Sequence, residues 1–172
     1  DCGRSTEEMA QHIGPFGFVT TCSTACSSAA NAFILGANLL RSGRFKQVVV
    51  GGTECLSRFH FNGFRSLMIL DGEPCRPFDD TRAGLNLGEG AAFVVLETAE
   101  NAAQRGAEAL AELSGWGNAC DAFHQTASSD DGIGAVFSMR QALQRAGLKP
   151  ADIDYVNAHG TGTPNNDASE SV

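Results

Sequence analysis

Long apolar runs are missing from this 172-residue chain: no stretch of 18 consecutive apolar residues occurs, although apolar residues make up 42% of the sequence. A helix that crosses a bilayer needs about 20 such residues. The sequence therefore argues against a membrane-spanning segment and against a membrane partner. Basic residues are also scarce, since 12 Lys and Arg face 20 Asp and Glu and leave a net charge of −8. This acidic balance argues against nucleic acid as a partner.

The cysteine spacing typical of zinc sites is absent as well. The six cysteines include no C-x-x-C pair, and no histidine stands at ligand spacing beside them. Structural zinc sites use such pairs, so we expect no metal. The first residues, DCGR, lead into a polar, acidic segment without the apolar run of a secretory signal. A disulfide framework is therefore not expected, and the cytoplasm is the expected location.

The apolar pattern alternates between strand and helix types, which predicts an α/β fold. Residues 18–21 predict a strand, 27–41 a helix, and 45–52 (FKQVVVGG) a strand buried on both faces. Such a succession predicts a right-handed βαβ unit and a mostly parallel sheet with covering helices. Further strands are predicted at 91–97, 107–116 and 153–157, and further helices at 6–12, 98–105 and 132–146, with a last helix beginning near 166.

Cys26 lies at the junction between the predicted strand 18–21 and the predicted helix 27–41. At a helix N-terminus, backbone N–H groups and the helix dipole favour negative charge, which lowers the pKa of a thiol. Such a cysteine is a candidate nucleophile near neutral pH. The alternative is a small buried cysteine, a common core residue. Spacing alone does not decide between the two.

His159 follows the predicted strand 153–157 in the string AHGTGT. Its neighbouring glycines allow a ligand to approach the backbone, and Thr161 and Thr163 offer hydroxyls to a polar ligand arm. A cysteine and a histidine at two strand ends could converge on one thioester carbonyl, the thiolate attacking and the imidazole binding the oxyanion. The alternative is an ordinary loop histidine. Asp167 and Glu170 could likewise be plain acids of a helix N-terminus.

Four strings carry a family resemblance: STACSS (23–28), VVVGGTE (48–54), GEGA (88–91) and NAHGTGTP (157–164). In order and spacing they resemble the β-ketoacyl-[acyl-carrier-protein] synthases, in the elongating, FabF-like branch of the thiolase-fold condensing enzymes. The resemblance extends over nearly the whole chain and implies a partial thiolase-like fold. Residues 1–106 would be the C-terminal part of its N-terminal half, and residues 107–172 the beginning of its C-terminal half.

The resemblance also implies roles for individual residues. Cys26 would be the acyl-accepting nucleophile and His159 one of two active-site histidines. Asp167 and Glu170 match the acidic positions that follow the histidine motif, as supporting residues. The second histidine, a lysine and a glycine- and phenylalanine-rich loop of the family have no counterpart among these residues.

Three further residues match substrate-binding positions of the family. Thr161 and Thr163 correspond to residues that hold the pantetheine arm, and Phe64 falls where the family lines its acyl pocket near the dimer interface. The implied partners are acyl carrier protein, acyl and malonyl thioesters, and a second synthase subunit in a homodimer or heterodimer. No cofactor is expected beyond the phosphopantetheine that the substrate carries.

The implied activity is a decarboxylative Claisen condensation, as a 3-oxoacyl-[acyl-carrier-protein] synthase of fatty acid or polyketide-type biosynthesis. Several alternatives stay open. A thiolase shares the fold, but the string HGTGT is similar to the synthase branch. A CoA-primed initiating synthase is a second alternative, and the sequence around His159 fits it poorly. A non-catalytic partner of the chain-length-factor type lacks the nucleophile, so Cys26 argues against it. This polypeptide by itself could also be catalytically inactive.

Overall fold

The computed structural model describes residues 2–124 and 126–172, without the side chain of Cys2. These residues form more helix than strand, and none of the helices described is long and apolar enough to cross a membrane. In chain order the elements are α1 (Cys2–Ile13), α2 (Ser28–Arg41), β1 (Gln47–Glu54), α3 (Arg58–Ser66), β2 (Gly90–Glu97), α4 (Ala99–Gln104), α5 (Ile133–Ala146), a 3₁₀ helix (Pro150–Asp152) and α6 (Pro164–Ser169).

The chain forms two compact units. The first contains the residues up to Glu54 together with Gly90–Leu110, and so holds α1, α2, α4 and both strands. The second contains Cys55–Glu89 and Ala111–Val172, with α3, α5, the 3₁₀ helix and α6. The sequence predicts a different boundary, between residues 106 and 107, where the two halves of the resembled family's fold would meet. That boundary stays a prediction.

The first unit is built on helix α2 and the β1–β2 pair. The two strands are antiparallel, with Gln47 opposite Glu97 and Glu54 opposite Gly90. Helix α2 packs closely against this pair. A Cβ built on Gly36 would lie only 2.6 Å from Cγ1 of Val50. Glycine therefore permits a close approach of helix and strand, and the apolar residues that become buried are Ala37, Leu40 and Val50.

The mostly parallel sheet is not confirmed. Among the described residues the one sheet has two strands, and they are antiparallel. Residues 18–21, 107–116 and 153–157, which we predicted as strands, are not strands in the structure. Their apolar pattern suits a strand, but a strand also needs a neighbouring strand for its hydrogen bonds. The βαβ unit predicted over 18–52 is therefore not formed.

The positions of the other predicted elements are confirmed to within a few residues, but β1 is not buried on both faces, since Val50 is the one buried residue of that strand. Helices were predicted at 27–41 and 132–146, and α2 and α5 occupy 28–41 and 133–146. The chain leaves α5 through Gly147, whose φ of 69° lies in the left-handed region that glycine tolerates. Helix α4 begins after Thr98, whose side chain accepts a hydrogen bond from the amide of Asn101.

Candidate active site

Cys26 lies in a tight turn directly before helix α2. Ala25 has a φ of 53°, in the left-handed region, which costs a residue with a side chain on the order of 1 kcal/mol. The amide of Ser27 donates to the carbonyl of Thr24 at 3.3 Å, and that of Ser28 to the carbonyl of Ala25 at 3.1 Å. The turn places the cysteine two residues before the first residue of a 14-residue helix.

Small polar side chains hold this turn in place. The Ser28 hydroxyl donates to the carbonyl of Ala25 at 2.6 Å and accepts from the amide of Thr24 at 2.8 Å. The Ser27 hydroxyl donates to the carbonyl of Thr24 at 2.8 Å, and the side-chain Nδ2 of Asn31 donates to the Thr24 hydroxyl at 2.8 Å. These bonds offset the backbone strain, which gives Thr24, Ser27 and Ser28 a structural role in the turn.

The thiol of Cys26 is exposed and outside any disulfide. The alternative of a small buried cysteine does not describe this structure. The predicted position next to a helix N-terminus is confirmed by the start of α2 at Ser28. The nucleophilic role of Cys26 stays a prediction.

Glu170 holds the loop that carries His159. Its two carboxylate oxygens accept hydrogen bonds from the amides of His159 and Gly160, each at 2.7 Å. The side chain of Asn166 donates to the same carboxylate at 2.9 Å. His159 is an exposed residue. Its backbone amide is fixed by the carboxylate of Glu170, which lies 11 positions later in the chain.

Asp167 is the most buried charged residue described, with 1% of its surface exposed. One carboxylate oxygen accepts from the amide of Gly162 at 3.1 Å, and the other from the amide of Phe78 at 2.7 Å. Nε of Arg82 lies 3.8 Å from that second oxygen. A buried charge needs such partners, and they show that Asp167 connects two loops instead of only favouring a helix dipole.

Thr161 and Thr163 lie beside these carboxylates. Their hydroxyl oxygens are 2.8 Å apart, so one donates to the other. Gly162 between them has a φ of 72°, which glycine adopts without strain. Whether the two hydroxyls contact a pantetheine arm stays a prediction.

Phe64 is half-buried on helix α3 and lines a hollow on one face of that helix. The acyl-pocket role of Phe64 stays a prediction. The other residues that line the hollow are Phe59, His60, Gly63, Ser66 and Leu67.

Five of the predicted site residues lie together within the second unit. His159, Thr161, Thr163, Asp167 and Glu170 form one cluster in the second unit, through the hydrogen bonds given above. Phe64 belongs to the same unit and the candidate nucleophile to the first. Among the described residues no group of three or more His, Cys, Asp or Glu is arranged to hold a metal ion.

The sequence did not single out the loop that contacts this cluster. Cys75, Phe78 and Arg82 each contact it, and they lie in the string CRPFDDTR. In the sequence this string indicates only a turn-rich loop.

Two family models cover most of the chain. Residues 8–102 match the N-terminal domain of beta-ketoacyl synthase, and residues 110–172 match the C-terminal domain of beta-ketoacyl synthase. The chain therefore belongs to the beta-ketoacyl synthase family.

Curated relatives agree with this family. The chain is 41% identical over 154 residues to 3-oxoacyl-[acyl-carrier-protein] synthase 2 of Synechocystis sp., covering 86% of this chain and 37% of that protein. It is 39% identical over 166 residues to nodulation protein E of Rhizobium meliloti, covering 96% of this chain and 41% of that protein. The chain thus spans about two fifths of the length of these relatives.

Solved structures confirm the thiolase-like ketosynthase fold. A type II PKS ketosynthase, solved with its acyl-carrier protein and bound to the hexaketide, matches with a TM-score of 0.93 at 30% identity, over 99% of this chain and 44% of that chain. The ishigamide ketosynthase/chain length factor matches with a TM-score of 0.93 at 38% identity, over 99% of this chain and 42% of that one.

Proposed function

We propose that this chain carries the nucleophile and one active-site histidine of a 3-oxoacyl-[acyl-carrier-protein] synthase, acting in fatty acid or polyketide-type biosynthesis. The observation that carries the proposal is the exposed thiol of Cys26, held on a strained turn at the start of α2 in a chain of the beta-ketoacyl synthase family. A thiol so placed can reach a substrate carbonyl while the helix dipole favours its thiolate.

The first half-reaction is acyl transfer to Cys26. Its thiolate attacks the carbonyl carbon of an acyl thioester, and the oxyanion collapses as the bond to the pantetheine sulfur breaks. The carrier leaves as a thiolate, which takes up a proton to become a thiol, and the acyl group stays on the cysteine. The hydroxyls of Thr161 and Thr163 would hold the pantetheine arm, and Phe64 would line the pocket that receives the acyl chain.

The second half-reaction is condensation. The malonyl thioester loses its carboxylate as CO₂, and the electron pair of the broken carbon–carbon bond forms an enolate. The imidazole of His159 would donate a hydrogen bond to the enolate oxygen. The enolate carbon then attacks the acyl group on Cys26, and the cysteine leaves as a thiolate.

The supporting acids have a defined task in this scheme. Glu170 fixes the amides of His159 and Gly160, and Asp167 fixes that of Gly162. Neither carboxylate needs to touch the substrate, because each sets the backbone from which a reacting side chain extends. The scheme requires no metal and no cofactor beyond the phosphopantetheine of the substrate.

The intact protein would work with partners. We propose acyl carrier protein as the substrate donor, because a solved relative is a ketosynthase in complex with its acyl-carrier protein. A second synthase-like subunit is proposed because other solved relatives are ketosynthases with their chain length factors. The mostly parallel sheet and the cytoplasmic location also belong to this proposal for the intact protein.

The test is acylation of Cys26, measured by intact mass and peptide mapping after incubation with an acyl-pantetheine thioester. We expect one acyl adduct, on Cys26, and none in the Cys26→Ala variant. The matched control is Cys120→Ala, which removes another exposed thiol and should keep the adduct. Cys26 should also be alkylated faster than the other exposed thiols.

Two results would contradict the proposal. One is a folded protein that forms no adduct. The other is an adduct spread over several exposed cysteines with similar rates. A chain-length-factor role would gain support if condensation by the intact assembly were unchanged in Cys26→Ala.

A further inference from the structure

A loop that the sequence marks only as a turn contacts the His159 region at several points. We call residues 75–82 the strap. The thiol of Cys75 donates to the carbonyl of Thr161, with 3.2 Å between sulfur and oxygen. Further along the strap, the Phe78 amide donates to Asp167 at 2.7 Å, and Nη2 of Arg82 donates to the carbonyl of Pro164 at 3.4 Å. The strap therefore holds both the loop at 159–163 and the start of α6.

The beginning of the strap is itself held firmly. The side-chain oxygen of Asn86 accepts from the amide of Cys75 at 2.6 Å. Its side-chain nitrogen donates to the carbonyls of Asp71 and Glu73 at 3.2 and 3.1 Å. Arg76 forms an ion pair with Asp71 at 2.9 Å. The Cys75 thiol thus extends from a fixed backbone and can transmit that fixed position to Thr161.

The loop and the strap are also in tight contact. A Cβ built on Gly162 would lie 2.7 Å from the sulfur of Cys75 and 2.7 Å from the carbonyl oxygen of Gly84. A Cβ on Gly160 would lie 3.3 Å from the ring of Phe78. Because both glycines face the strap without spare room, a shift of the strap must shift the loop.

We propose that Cys75 is a positioning residue for the condensation reaction. Its thiol fixes the Thr161 peptide, and through it the hydroxyls of Thr161 and Thr163 and the placement of His159. The inference rests on the proposed function, because it assigns Cys75 to the loop that would serve the second half-reaction. A thiol is a weak donor, so its effect comes from the geometry that it maintains. Misplacement of a reacting group by about 1 Å can slow a positioned reaction by about 100-fold.

The test compares Cys75→Ala with Cys75→Ser in the intact protein. Alanine removes the donor, whereas serine keeps a hydroxyl that can bond to the Thr161 carbonyl. The matched control is Cys120→Ala, an exposed cysteine of the same unit with no contact to the strap among the hydrogen bonds described. Three quantities are measured: amide hydrogen exchange in a peptide covering 159–163, the rate of acyl transfer to Cys26, and kcat for condensation with a malonyl-pantetheine thioester.

We expect Cys75→Ala to raise amide exchange in 159–163 about tenfold and to lower kcat for condensation about tenfold. Acyl transfer to Cys26 should fall less than condensation does, because it depends on Thr161 and Thr163 for the pantetheine arm but not on His159. Cys75→Ser should restore both altered quantities to within about threefold of the unsubstituted protein, and Cys120→Ala should leave all three unchanged.

The proposal is overturned if Cys75→Ala exchanges and condenses like Cys120→Ala. It is also overturned if Cys75→Ser loses as much as Cys75→Ala, since the donor would then not matter. Failure of the proposed function is a separate result: the unsubstituted protein would neither acylate nor condense. In that case the exchange data still decide whether Cys75 fixes the loop.

Discussion

At the scale of single residues, Gly162 is the position where the His159 loop tolerates least change. Its φ of 72° and the sulfur 2.7 Å from a built Cβ both exclude a side chain. We expect Gly162→Ala to lower the free energy of unfolding by about 1–3 kcal/mol. Condensation should fall at least about tenfold, because the loop must move away from Cys75. Urea unfolding and steady-state kinetics measure the two effects.

The control for this substitution is Gly72→Ala in the same unit. Gly72 has no heavy atom within 4 Å of a built Cβ. Its φ is also not in the left-handed region, so alanine should leave stability and activity close to those of the unsubstituted protein. If Gly162→Ala behaved like Gly72→Ala, the close fit between loop and strap would have no energetic weight.

Sequence reasoning located single residues well only where a local pattern surrounds them. Cys26 stands at a recognisable helix start, and His159 stands in a string of glycines and threonines that resembles one family. The thiol–carbonyl contact between Cys75 and Thr161 joins residues 86 positions apart. No periodicity reports a contact at that separation, so the strap became visible only in three dimensions.

At the scale of elements, Glu97 joins the end of β2 to its neighbours. Hydrogen bonds from Arg105, opposed by desolvation and supported by Gln47 and Asn101, lower the pKa of Glu97 from 4.5 to about 2. A carboxyl whose pKa is lower in the folded state contributes stability above its unfolded pKa, and this contribution is lost as pH falls. The window for this loss is therefore between pH 4.5 and about 2.

We expect Glu97→Gln to remove this part of the acid sensitivity. The free energy of unfolding of the unsubstituted protein should fall between pH 6 and pH 3, and the fall should be smaller in Glu97→Gln. The measurement is urea unfolding at both pH values. Glu7→Gln serves as the control, because Glu7 is an exposed acid in α1 of the same unit. An equal fall in Glu97→Gln and Glu7→Gln would contradict the assignment.

The elements differ in how far the sequence could predict them. Helices α2 and α5 form their hydrogen bonds within one segment, so the 3.6-residue pattern and the flanking glycines were sufficient. The strands expected at 18–21, 107–116 and 153–157 depend on partners elsewhere, and a local apolar pattern carries no information about them. The antiparallel pairing of β1 with β2 was missed for the same reason.

At the scale of the whole molecule, large apolar side chains remain at the surface. Phe59 is 84% exposed, Met68 88% and Tyr155 79%. On strand β2, Val94 and Val95 are 43% and 55% exposed. Surfaces of this kind are normally covered by other protein, and the chain spans about two fifths of the length of its relatives. The parts of the relatives that this chain does not match are the natural candidates to cover them.

We therefore expect a polypeptide of residues 1–172 alone to bind a hydrophobic dye and to associate as its concentration rises. A longer polypeptide that adds the unmatched parts of the relatives should bind several-fold less dye per residue, because those parts would bury the exposed apolar side chains. Dye fluorescence and sedimentation over a concentration series measure both effects. Monomeric behaviour and equally weak dye binding by both polypeptides would show that these apolar side chains need no further cover.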